Sequence, residues 1–99
     1  MAPTKTGLFN PSTWGAYLRG GTLFIKRSIA DPEKHYPDFH CSYETFTNAE
    51  VLELETLGPL TSIQQSDGVE HVEHWTLHKD INLPSFTDEN LDEVVLPLL

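Results

Sequence analysis

The stretch GVEHVEHWTLH, residues 68–78, decides the fold, because it reads in two ways. On a helix His71, His74 and His78 would share one face beside Glu70, a metal-binding arrangement. The same window carries Val69, Val72, Trp75 and Thr76, which favour strands. Ser66-Asp67-Gly68 supplies a turn signal immediately before it, and four earlier runs also read as strands. The strand reading is therefore preferred. It places Val69, His71, Glu73, Trp75 and Leu77 on one face and Glu70, Val72, His74, Thr76 and His78 on the other. His74 and His78 then stand about 13 Å apart, too far to ligate one ion directly. No metal site is expected, although a His/Glu metal site drawing on Glu70 or Glu73 is a minor rival. Trp75 is expected in the core with Val69 and Leu77.

Working outward, WGAYLRGGTLFIKRSI from Trp14 sets two β-rich runs around Gly20-Gly21, a two-residue hairpin signal. ADPEKHYPDF, with two prolines, reads as a surface loop. HCSYETFTN and VLELETL form a second hairpin about Asn48-Ala49-Glu50. Gly58-Pro59 breaks the run, and LTSIQQ continues extended. Near the end, Thr87 or Asp88 is placed to cap one short helix with Leu91, Val94 and Val95 as its apolar stripe. Residues 1–13, with Pro3, Gly7, Asn10 and Pro11, read as an irregular lead-in; 14–78 form the β region, and 79–99 a loop and short helix. The expectation is one all-β domain, an antiparallel β-sandwich with a short C-terminal helix.

Length and charge narrow the function. At 99 residues there is room for a single modest core. Fifteen acidic against six basic residues give a formal charge of −9, which repels nucleic-acid phosphates and anionic lipid surfaces. No apolar run is long enough to span a membrane or act as a secretory signal, so a cytoplasmic location is expected. Cys41 is the sole cysteine and reads as a structural thiol.

In VLELETL, strand alternation puts Val51, Glu53, Glu55 and Leu57 on one face. The two acids lie about 7 Å apart, a pairing suited to binding sugar hydroxyls or to acid/base work if the face is recessed. Glu44 and Asn48 on the preceding strand share parity with each other and are candidates for the same cleft. Arg19 and Lys26, in a hairpin that also holds Trp14, Tyr17 and Arg27, are candidates for contacting sugar hydroxyls or carboxylates.

LELETLGPL followed by IQQSDGVEHVEHWTLH resembles the C-terminal part of galactose-mutarotase-like proteins, the aldose 1-epimerase superfamily. Leu54-Glu55-Thr56 matches its Leu-Glu-Thr strand end, Gln65 to Gly68 its turn, and Trp75 to Leu77 its closing strand. The resemblance implies part of a larger two-sheet sandwich, a carbohydrate ligand and no cofactor, with Glu55 as the carboxylate that takes the anomeric proton and Glu53 as its neighbour. The superfamily's histidine acid lies in an upstream portion without counterpart here, so a complete epimerase is not expected. A sandwich cut to its final strands exposes edges and an apolar face, which implies self-association or a complementary chain. The rival to a sugar site is an interaction module that recruits another chain by strand addition.

Overall fold

The computed structural model describes residues 2–99, and the chain is all-β: six antiparallel strands in two three-stranded sheets, with one short C-terminal helix. The strands are β1 (Thr4–Leu8), β2 (Ser12–Arg19), β3 (Thr22–Ile29), β4 (Tyr43–Thr47), β5 (Leu52–Thr56) and β6 (His74–His78). Sheet A has the order β1-β4-β5 and sheet B the order β2-β3-β6.

The β2–β3 hairpin follows from Gly20 and Gly21, whose φ values of 57° and 78° are what a primed two-residue turn demands at both central positions. Eight cross-strand pairs run from Ser12 with Ile29 to Arg19 with Thr22. The β4–β5 turn is made by Asn48. Its backbone N–H donates to the Val51 carbonyl, and its side-chain oxygen accepts from the N–H groups of Glu50 and Val51, both at 2.8 Å.

The lead-in departs from the sequence expectation: Thr4–Leu8 is a strand, registered on β4 from Thr4 with Thr47 to Leu8 with Tyr43. Pro3 and Pro11 bound the segment instead of dissolving it. Gly7 is required inside it, since a Cβ there would lie 2.6 Å from Cys41 Sγ. The histidine stretch is a strand only from His74. Thr56 hydrogen-bonds His71 and Glu73 and so holds 71–73 against the end of β5, while β6 joins β3. LTSIQQ forms no strand.

Pairing registers fix what each face of sheet B does. Ala16, Leu18, Leu23 and Ile25 lie on one face, covered by helix α1 (Asp88–Val94) and the 3-10 turn Leu96–Leu98; Leu23, Ile25 and Val95 are buried there, with Ile81, Leu91, Leu98 and Leu99 packed around them. Thr87 caps α1, accepting from the Asn90 N–H, and Asp88 and Glu89 complement the helix dipole. The opposite face of sheet B meets sheet A through β2. That seam is polar: Thr13 donates to Ser42 Oγ at 2.8 Å, and both are buried. Trp75 is not in the core but 64% exposed. It lies on the seam side of an edge strand, beyond the reach of sheet A, touched by Phe24 and Lys26.

Candidate functional site

Sheet A sets Gly7, Glu44 and Glu55 in one cross-strand row and Lys5, Phe46 and Glu53 in the next, on the face turned away from sheet B. Glu53 and Glu55 therefore share a face, and Glu44 is the direct cross-strand partner of Glu55. Glu53 is exposed and Glu55 half-buried, whereas Glu44 is buried.

What covers Glu44 is the turn Pro37–His40, which spans the end of the expected loop and His40, the first residue of the run expected as a strand; that strand begins only at Tyr43. Asp38, Phe39 and His40 have φ values of 54°, 59° and 67°, three consecutive non-glycine residues in the left-handed region. Each costs of order 1–3 kcal/mol unless its surroundings fix it. His40 stacks on Phe9 with ring centroids 4.4 Å apart, and the Cys41 N–H donates to the Pro37 carbonyl at 2.9 Å. The turn aims Asp38 at Glu44 and leaves the Phe39 ring wholly exposed. A recess of about 550 Å³ results, lined by Lys5, Gly7, Asp38, Phe39, Cys41 and Glu44.

The electrostatics of this recess are unequal. A hydrogen bond with Asp38, then burial and the Asp38 charge, push the Glu44 carboxyl upward, against Lys5, whose Nζ lies 3.6 Å from Glu44 Oε2. Burial, reinforced by Glu44 and Asp38, also raises the Cys41 thiol, which disfavours its thiolate form. Because Glu44 holds its proton more tightly folded than unfolded, it lowers stability as pH rises from its unfolded value through its folded one, and the whole penalty persists above that. Glu44→Gln, which keeps a hydrogen-bond donor toward Asp38, is expected to raise the urea midpoint at pH 7 and leave it unchanged at pH 3. Urea titrations at the two pH values check this.

The other expected contact residues lie elsewhere. Arg19 is exposed at the tip of the first hairpin, opposite Thr22. Asn48 is spent on its turn. Lys26 lies between the sheets, donating to the Leu54 carbonyl at 2.8 Å and standing 3.5 Å from Glu73 Oε2. That carboxylate also accepts from Thr56 Oγ1 and, at 3.1 Å, from Trp75 Nε1. Hydrogen-bonded side chains thus engage Glu73 and His71, and the described residues hold no group of three or more His, Cys, Asp or Glu placed to bind a metal ion.

Lys5, Asp38 and Phe39 escaped the sequence reading. Lys5 lay in the supposed lead-in, and nothing in HYPDFHC announces a left-handed turn, for which glycine or asparagine is the usual signal. A second cleft, of about 500 Å³, includes Trp14, Arg27 and His74, which form one row across sheet B.

No family model matches the chain, and no curated protein or solved structure gives a significant match to it. Among the described residues no helix is long and apolar enough to cross a membrane.

Proposed function

We propose that the chain is a carbohydrate-binding domain that takes a sugar on the outer face of sheet A, between Phe39 and the Glu44–Glu55 pair. The observation that carries this reading is the exposed Phe39 ring, held by a strained turn at the rim of a recess whose floor is carboxylates and an ammonium. An exposed ring offers an apolar platform to the C–H face of a pyranose, and carboxylates and Lys5 are the acceptors and donors that its hydroxyls need. Strain of this kind is retained at ligand clamps when the surroundings enforce it.

Ring opening, as implied by the mutarotase-like resemblance, would assign Glu55 the anomeric hydroxyl proton. The C1–O5 bond would then break to the aldehyde, with Glu44, whose carboxyl is shifted upward, giving the ring oxygen its proton in place of the superfamily's histidine, which has no counterpart here. Closure on the other face of the aldehyde reverses both transfers.

Saturation-transfer NMR with a panel of free aldohexoses tests the binding claim. Phe39→Ala is expected to weaken binding about tenfold, the loss of roughly 1.4 kcal/mol of contact. Glu55→Gln is expected to weaken it by a smaller factor. Transfer that is absent from the wild-type protein, or unchanged by both substitutions, refutes the site.

A further inference from the structure

We propose that β6 is the seam of a two-fold homodimer, pairing antiparallel with β6 of a second copy to join the two B sheets into one of six strands. This is independent of the sugar site, which lies on the other sheet.

The edge is open. β6 bonds to β3 on one side, and among the described residues its outward backbone groups have no backbone partner. Natural edge strands are ordinarily protected by charge, proline or a bulge. His74-Trp75-Thr76-Leu77-His78 has no proline and none of Asp, Glu, Lys or Arg, in a chain whose formal charge is −9. Beside the edge lies uncovered apolar surface: Trp75 is 64% and Leu77 70% exposed, next to Phe24 and a Tyr17 that is 44% exposed. The radius of gyration, 15.6 Å, exceeds the roughly 13 Å of a compact chain of this length, so an unusual share of the surface awaits cover.

The strand's own sequence selects a second copy as the partner. Antiparallel pairing about a two-fold axis at Thr76 sets His74 against His78, Trp75 against Leu77 and Thr76 against itself. Each exposed Trp75 thereby gains the Leu77 of the other copy on the same face, an aromatic–aliphatic cross-strand pair made twice. One residue further out, the same register sets Lys79 opposite Glu73, whose carboxylate is engaged within its own copy by Thr56, Trp75 and Lys26, so no like charges meet at either end. The outer edge of β5 has no such complementarity, since its Leu54 carbonyl already accepts from Lys26 and pairing it with itself about Leu54 would oppose Glu53 to Glu55. An isologous contact of this kind closes on itself and does not propagate into fibres.

Sedimentation equilibrium at neutral pH and micromolar concentrations is expected to give the mass of a dimer. Thr76 is exposed and sits on the axis, so Thr76→Glu and Thr76→Lys each place like charges directly opposite one another and are expected to weaken the dimer at least tenfold. Mixed in equal amounts, the two variants are expected to recover dimer mass as a heterodimer. Hydrogen exchange on the wild-type protein gives a reading without substitution: the outward amides of β6 gain protection as concentration rises. A monomer throughout, variants that dimerise as well as wild type, a mixture that stays monomeric, or β6 amides whose protection ignores concentration would overturn the proposal.

Discussion

Gly15→Ala is expected to cost the fold about 3 kcal/mol, the upper range for forcing a group into packed space, out of a total stability of roughly 5–15 kcal/mol. Gly15 is buried in β2 where that strand meets sheet A, and the Tyr43 side chain of β4 occupies the space beside it. A Cβ at position 15 would fall inside the van der Waals envelope of the Tyr43 ring, nearest to Oη and Cζ. The ring has little freedom to retreat, because Tyr43 is itself buried and held in a central strand between Leu8 and Thr56. Urea unfolding checks the cost, and a double-mutant cycle assigns it. In a Tyr43→Ala background, where the ring is gone, Gly15→Ala is expected to cost less than about 1 kcal/mol, leaving a coupling energy near 2 kcal/mol. Equal costs in both backgrounds would mean that the two sheets do not meet at this point.

Local rules made the hairpins legible. Gly20-Gly21 and Asn48-Ala49-Glu50 encode their turns in residue types with few alternatives, so strand pairing across them follows directly. The helix start was legible to within one residue: of the two candidates, Thr87 and Asp88, Thr87 is the cap. Strand parity also carried through: Glu53 and Glu55 do share a face, as do His74 and His78. Parity names the members of a face but not what the face meets, and there the sequence was silent. Trp75 has the composition of a core residue, yet burial of an edge strand depends on where the opposite sheet ends. β1 was hidden because Thr4, Thr6 and Leu8 alternate too weakly to declare a strand; only pairing with β4, some forty residues away, makes it one. The Asp38–His40 turn was illegible for a different reason. Three consecutive left-handed residues, with Phe39 the least suited of them, run against local preference, and the turn is fixed by Phe9, Pro37 and Cys41 around it.

Its residue type and neighbours make Lys26 a candidate sugar contact, and its position makes it a structural tie between the sheets. Its side chain is only 14% exposed; the ammonium donates to the Leu54 carbonyl of β5, stands 3.5 Å from Glu73 Oε2 and lies 5.4 Å from the centre of the Trp75 ring. Lys26→Met retains most of the aliphatic stem and removes the charge. The substitution is expected to cost about 2 kcal/mol, less than the 3–5 of a fully buried pair because solvent reaches both groups. The pH dependence identifies the mechanism. Burial pushes the Glu73 carboxyl up, but hydrogen bonds from Thr56 and Trp75 and the Lys26 charge outweigh it, so its net shift is downward. A carboxylate lowered on folding adds stability that is full above its unfolded pKa, near 4.5, and is lost as pH falls through the folded value. Wild type should therefore lose this contribution on acidification, and Lys26→Met, in which Glu73 has lost its cation, should lose less. The cost of Lys26→Met in urea is expected to shrink from pH 7 to pH 3. In a Glu73→Gln background it should already be small at pH 7. A cost independent of both pH and Glu73 would assign the role of Lys26 to its bond with the Leu54 carbonyl alone.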